Sequence, residues 1–226
     1  MILFNVRPEE ILAIGPASFS IAVTLVIFRL LAQGVRFHLI ARQLDGTSDA
    51  KPLSSILIRI GSEFISLITP SYVGGEAIRI AWLTRRGAKT GQAIWASYLE
   101  VLYDVVFASA AALIAVIYAF TLGAYLISAL VFVTTLAVLS FYILLTVLSI
   151  KGRIKLPKFI FKLLKRFSGK RITDAVESRV EEVTKSYGEA AGQFLGSSSI
   201  ISLVLISLLT FVKVILAGAI FMVILQ

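Results

Sequence analysis

The stretch Thr69-Pro70-Ser71-Tyr72-Val73-Gly74-Gly75-Glu76-Ala77-Ile78-Arg79 interrupts a chain otherwise built of long apolar segments. It places a proline, two glycines and a charge pair where a spanning helix would continue. Irregular backbone at membrane depth persists only where protein buries it or a wet cavity borders it, because lipid cannot satisfy free amides. Two carboxylates, Glu100 and Asp104, follow inside the next apolar segment. Ionisable groups at such depth are expensive and mark a candidate site. Together these features describe an integral membrane protein with a polar, partly broken interior.

Composition agrees. Mean hydropathy is +0.93; 58% of residues are hydrophobic and only 15% are charged, well below the soluble norm. Four stretches exceed the roughly 18 residues that indicate a spanning helix. The 226 residues are read as a single membrane domain, 1–226. Net charge is +9, yet nine of the 22 Lys and Arg fall within 151–171. That clustering beside long apolar spans points to an anionic membrane surface and away from nucleic acid. With no cysteine and one histidine, His38, the sequence predicts no disulfide, metal site or cofactor.

The predicted fold is an all-α integral membrane bundle of four spanning helices plus one re-entrant or short helix, 53–75. The spans are 11–33, 93–120, 124–149 and 200–225. A polar loop carrying Arg36, His38 and Arg42 follows the first span. Within 53–69, Arg59 and Glu63 are four apart and share a face, as Glu100 and Asp104 do on the next span. A full crossing by 53–69 would place the basic loops on opposite sides. A dip and return places loops 34–52, 76–92 and 150–199 together on the cytoplasmic side, as the positive-inside rule favours. Pro70, Gly74, Gly75 and Glu76 then form the re-entrant turn. The connector 150–199 reads as two amphipathic helices, a lysine-faced one over 155–167 suited to the headgroup layer and a second over 172–194.

Six charges lie within the apolar segments and sum to zero: Arg29, Arg59 and Lys213 against Glu63, Glu100 and Asp104. Each costs about 2.5–3.5 kcal/mol at mid-membrane, so mutual pairing as interhelical glue is one reading. The functional reading is a polar cavity open to one leaflet, where Arg59 and Arg79 hold a lipid phosphate through their bidentate forks. Glu100 and Asp104 would orient those arginines or take a proton during transport. His38 reads as a loop residue at the interface. Gly74-Gly75 lacks the spacing and lysine of a phosphate-binding loop, so nucleotide binding is not expected. Trp82, Trp95, Tyr98 and Tyr103 read as belt or packing residues.

The run from Pro70 to Arg79, then Arg85-Arg86-Gly87, then Glu100 and Asp104, resembles the flippase-like membrane domain of lysylphosphatidylglycerol synthases, which also occurs alone as a membrane protein. The basic stretch Arg36-Phe37-His38 is similar to one that family carries after its first span. The resemblance implies a lipid flippase or lipid-binding protein of the cell membrane, acting on anionic phospholipid or polyprenyl-phosphate-linked lipid. By resemblance the positions to watch are Pro70, Gly74, Gly75, Glu76, Arg79, Glu100 and Asp104; beside it, the residues themselves give Arg36, Arg59 and Arg79 as phosphate-binding candidates, with Glu63, Glu100, Asp104 and Lys213 as charge partners. The resemblance carries no synthase activity, because the soluble catalytic domain is absent. Members usually have an additional span and a second half with another proline-glycine-glutamate turn, so the sequence reads as a fragment, a split protein or a short variant. Expected partners are membrane lipids, with a homodimer or a lipid-modifying enzyme as further candidates. The alternatives are a non-transporting anchor for such an enzyme and, less favoured, a headgroup transferase using Glu100 or Asp104 as base.

Overall fold

In the computed structural model, which describes residues 15–45, 47, 50–69, 73–150, 178–194, 196 and 199–224, all regular structure is helical. The helices are α1 (Pro16–Ala41), α2 (Pro52–Ile68), α3 (Val73–Arg85), α4 (Thr90–Thr121), α5 (Tyr125–Ile150), α6 (178–194) and α7 (Ile200–Ile224). Four are long and apolar enough to cross a membrane: α1, α4, α7 and, over Tyr125–Leu148, α5. The expected four-span bundle is what the chain forms.

Pro16 and Pro52 occupy the first turns of α1 and α2, where a missing N–H costs nothing and the fixed φ favours the helix. The expected loop 34–52 begins late, because α1 continues through Arg36 and His38 to Ala41. Polarity misled the reading. These side chains point into the bundle, and Arg, Phe, Leu, Ile and Ala sustain a helix. His38 is accordingly buried, its Nδ1 3.2 Å from Ser55 Oγ, and is no interfacial loop residue. The Thr47 hydroxyl then donates to the carbonyls of Ala41 and Leu44, satisfying acceptors that a helix end leaves open.

The element expected over 53–75 is a pair of helices. α2 ends at Ile68, and Thr69 is extended, as the residue before a proline prefers. The chain then returns as α3 alongside α2. Gly75 lies against Ser62 and Ser66, Arg79 Nη1 reaches Ser62 Oγ at 3.5 Å, and Arg86 Nη2 donates to Ser54 Oγ at 2.9 Å. The pair is therefore an antiparallel hairpin that ends where it began. Gly74, Gly75 and Glu76 sit in the first turns of the returning helix and not in the turn itself, and 76–85 is helix where a loop was expected. A Cβ on Gly75 would overlap Ser66 Oγ and the Ser62 carbonyl. Small residues at this crossing let the backbones touch, which is how helices associate without a hydrophobic drive in lipid. Thr69 joins both halves, donating to the Ile65 carbonyl at 2.8 Å and accepting from the Gly74 amide at 3.3 Å. Pro70 and the turn proper lie outside the described residues.

α2 shows an inverted amphipathicity. Ser55, Arg59, Ser62 and Ser66, spaced four, three and four apart, are buried, while Leu53, Leu57, Phe64 and Leu67 are exposed. Around the centre, α1 packs on α7 and α2, α2 on α3, α3 on α4, and α4 on α7, closing a ring with α5 outside on α4. α4 has 32 residues, about 48 Å of helix against a hydrocarbon core of about 30 Å. Its buried residues concentrate between Gly91 and Glu100, where α6 packs on it. The second connector helix, described over 178–194, docks on the bundle, through Ser186, Ala190, Ala191 and Phe194, with Trp95 edge-on to Tyr187 at 5.4 Å. Trp95 is a packing residue. The helix expected over 155–167 lies outside the described residues.

One end of the bundle is tied by polar contacts. Asp45 accepts from Gln92 at 3.0 Å and from Gln193 at 3.3 Å, and Lys89 lies 3.7 Å from Glu189. The opposite end holds the short α4–α5 link, with Gly123 at φ 79°, and no charge between Thr121 and Tyr125.

Candidate functional site

Every helix of the ring contributes to one charged cluster inside it. Glu100 on α4 is its hub. Its Oε1 lies 3.5 Å from Arg36 Nη2 on α1 and 3.5 Å from Arg59 Nε on α2, and its Oε2 lies 3.4 Å from Arg79 Nε on α3. One turn along α4, Asp104 takes a two-pronged contact from Arg36, Nη1 to Oδ1 at 2.5 Å and Nη2 to Oδ2 at 3.2 Å. Lys213 Nζ on α7 reaches Asp104 Oδ2 at 2.6 Å. Arg36 also donates to the Thr210 hydroxyl at 3.1 Å. On α2, Glu63 accepts from Arg59 at 2.7 Å, the pairing its spacing predicts, and lies 3.8 Å from Arg29.

The ion-paired set therefore holds five cations (Arg29, Arg36, Arg59, Arg79, Lys213) and three anions (Glu63, Glu100, Asp104), an excess of two positive charges. The six charges within the apolar segments sum to zero because Arg36 and Arg79 fall in segments whose polarity resembles loops. Their helices carry both inside. Pairing as glue explains part of the set; Glu76, one turn before Arg79 and outside ion-pair distance, adds a fourth carboxylate that favours the charged Arg79, so among the described residues the cluster keeps an excess of one positive charge. The environment of the paired groups is uneven: side-chain exposure is 1–7% at Arg36, Arg59, Arg79 and Glu100, and 17–33% at Lys213, Glu63, Asp104 and Arg29. The cluster is sealed around Glu100 and open along the edge formed by α1, α2, α4 and α7.

Hydrogen-bond capacity is also left over. The Nε atoms of Arg29, Arg36, Arg59 and Arg79 are buried without a hydrogen-bond partner, as is Glu100 Oε2. Arg59 and Arg79 thus meet Glu100 at ion-pair distance without hydrogen-bond alignment. Gln33, one turn from both Arg29 and Arg36 on α1, is 1% exposed, with neither amide atom partnered. Gln33, Thr210 and the serine stripe of α2 are additions that the sequence does not single out. The 29, 33, 36 spacing on α1 was the available signal. The turn residue Pro70 is not among the described residues, and Glu76 is half-buried one turn before Arg79.

Buried charges of this kind, held by the walls of a four-span bundle, define a multi-pass membrane protein with a charged interior. A family model described as lysylphosphatidylglycerol synthase TM region matches residues 7–226, and the chain belongs to that family. Membership places it among membrane proteins related to lipid modification or flipping. No match was found among curated proteins or among solved structures.

Proposed function

We propose that the chain binds the phosphate of a membrane lipid in the arginine cluster and passes that headgroup between leaflets. Its lipids would be anionic phospholipids or polyprenyl-phosphate-linked lipids. The observation that carries this reading is the excess of positive charge beside an open edge, five cations against Glu63, Glu76, Glu100 and Asp104. A set serving only as glue gains by neutral pairing, since an uncompensated charge at membrane depth costs several kcal/mol. A lipid phosphate arriving at that edge supplies the missing anion. Arg36, Arg59 and Arg79 offer planar forks suited to phosphate oxygens. Asp104 and Lys213, at the edge, would separate as the phosphate enters, and Lys213 would then meet it first.

The same proposal orients the molecule. Arg42, Lys51, Arg85, Arg86 and Lys89 gather at the end where α1 finishes and α4 begins, while the α4–α5 link carries no charge. The positive-inside rule puts the basic end in the cytoplasm, so the α2–α3 hairpin enters from that side and returns to it.

Lipid flipping in proteoliposomes tests the reading, with headgroup-labelled phospholipid quenched from outside. Wild-type protein is expected to flip the label, and Arg79→Gln and Lys213→Gln to slow it at least about tenfold, the effect of losing about 1.4 kcal/mol. Lys185→Gln, on the exposed face of α6, should leave the rate unchanged. Folded protein that flips neither phospholipid nor polyprenyl phosphate would favour the competing reading, a membrane anchor for a lipid-modifying enzyme.

A further inference from the structure

We infer that the seam between α4 and α7 is the side entrance of the site. A lipid of the cytoplasmic leaflet seats the upper part of its acyl chains in the groove along that seam, and its headgroup passes inward between the two helices. The inference rests on the lipid-phosphate reading above and adds the route by which the ligand arrives. Phe107 on α4 and Leu203, Val204, Ser207, Leu208 and Phe211 on α7 line the groove. Val204, Leu208 and Phe211 are each more than half exposed. Both helices are long and apolar enough to span a membrane, so lipid hydrocarbon surrounds the groove. An acyl chain, as apolar as the leucines it would touch, is the occupant whose chemistry matches.

This seam is also the weakest wall. Of the contacts that close the ring, the one between α4 and α7 is the least extensive. The others are shut by close packing or by the chain itself. Thr210 of α7, fully buried, takes a hydrogen bond from Arg36 of α1. Gly34 of α1 has no room for a Cβ beside Ile56 of α2, and Gly75 of α3 none beside Ser62 and Ser66. The short link 86–89 ties α3 to α4. Between α4 and α7 only side chains hold: Lys213 on Asp104 at 2.6 Å, a hydrogen bond of Tyr103 with Ser207, and Phe107 against Phe211 with ring centroids 6.5 Å apart. The ion pair stands at the mouth, with Asp104 31% and Lys213 17% exposed. A phosphate that takes Lys213 leaves Asp104 still held by both prongs of Arg36. Opening therefore strands neither charge, which is what makes separating a partly buried pair expensive.

Depth assigns the leaflet. Ser207 stands level with Tyr103 and Phe211 with Phe107, so the groove from Leu203 to Phe211 covers about 12 Å of helix around the level of Asp104. From Asp104 to the end of α4 at Thr121 is about 25 Å. With that end at the outer boundary of a hydrocarbon core of about 30 Å, the Asp104–Lys213 pair lies about 5 Å inside the cytoplasmic boundary. The glycerol esters and first methylenes of cytoplasmic-leaflet lipids occupy that level. A headgroup entering here moves sideways more than it moves in depth.

The test joins a reversible closure to a footprint on wild-type protein. The chain has no cysteine, so Phe107→Cys with Phe211→Cys puts one thiol on each side of the seam. A short bis-methanethiosulfonate linker joins them, and reductant releases them. Phe120→Cys with Tyr125→Cys, whose rings lie 5.0 Å apart at the α4–α5 link, is linked in the same way as a control. Flipping of headgroup-labelled phosphatidylglycerol in proteoliposomes is expected to slow at least about tenfold on linking 107 to 211, to recover with reductant, and to stay unchanged on linking 120 to 125. An unchanged rate with 107 linked to 211 would overturn the inference and leave the lipid-phosphate reading standing. The footprint uses wild-type chain in neutral detergent and phosphatidylglycerol carrying a diazirine near the glycerol end of one acyl chain. Adducts on Phe107 and over 203–211, displaced by excess unlabelled lipid, are expected. Displaceable adducts elsewhere on the ring, with none in the seam, would overturn the entrance alone. No displaceable adducts and no flipping would overturn both readings.

Discussion

Glu100→Gln removes the carboxylate on which three arginines converge, and its cost follows from the geometry. Arg36, Arg59 and Arg79 each lie within 3.5 Å of that carboxylate, and none of the four side chains exceeds 7% exposure. Water can screen little of the change. The ion-paired set goes from an excess of two positive charges to three, while Asp104 and Glu63 remain with their own partners. Breaking a buried pair by removing one partner costs about 3–5 kcal/mol, because the other charge is left uncompensated. The glutamine still presents one acceptor oxygen, so a loss near the lower bound, about 3 kcal/mol, is expected. Asp104→Asn should cost less, because Asp104 is 31% exposed where Glu100 is 3% exposed, and it has one arginine partner where Glu100 has three. Reversible unfolding in mixed micelles, read from tryptophan fluorescence, measures both; Trp95 is buried five residues from Glu100. A loss under about 1 kcal/mol for Glu100→Gln, the range of an exposed pair, would refute Glu100 as the buried counter-ion.

Three further outcomes are expected. Gly75→Ala should destabilise by about 1–3 kcal/mol through overpacking against Ser62 and Ser66, whereas Gly61→Ala, with open space around it, should stabilise by up to about 1 kcal/mol through helix propensity; the same unfolding measurement compares them. Gly91→Ala pushes a methyl into Ser186 and the Val183 carbonyl; proteolysis between α6 and α7 should accelerate while unfolding of the ring changes little. The chain has no cysteine, so Lys89→Cys and Leu122→Cys each give a single thiol for impermeant labelling. The proposed orientation predicts reaction of the first only from the cytoplasmic side and of the second only from outside.

The four spans were legible because their apolar runs are long and a glycine link at Gly123 separates two of them; Pro16, inside the expected span 11–33, is where α1 begins. The Arg59–Glu63 and Glu100–Asp104 spacings located the right helix faces. What stayed hidden has a common cause. In a membrane bundle polar residues turn inward, so Arg36, His38 and Arg79 read as loop by composition while standing on helices. The serine stripe of α2 was invisible for the same reason, since serine has no hydropathy strong enough to mark a face. Gly74 and Gly75 looked like a turn because glycine serves both turns and close helix crossings; only the neighbours at Ser62 and Ser66 decide between them. The net charge of the cluster could not be counted until those helix boundaries were known.

The central claim is that a lipid phosphate rests among Arg36, Arg59, Arg79 and Lys213. Its most direct measurement is photo-crosslinking in native-like bilayers with a phospholipid carrying a carbene precursor beside its phosphate, with adducts located by peptide mass spectrometry. The account predicts adducts on the segments of α1, α2, α4 and α7 that surround the open edge, lost on adding excess unlabelled lipid. Adducts spread over the lipid-facing surface of α5, with none at the edge, would contradict it.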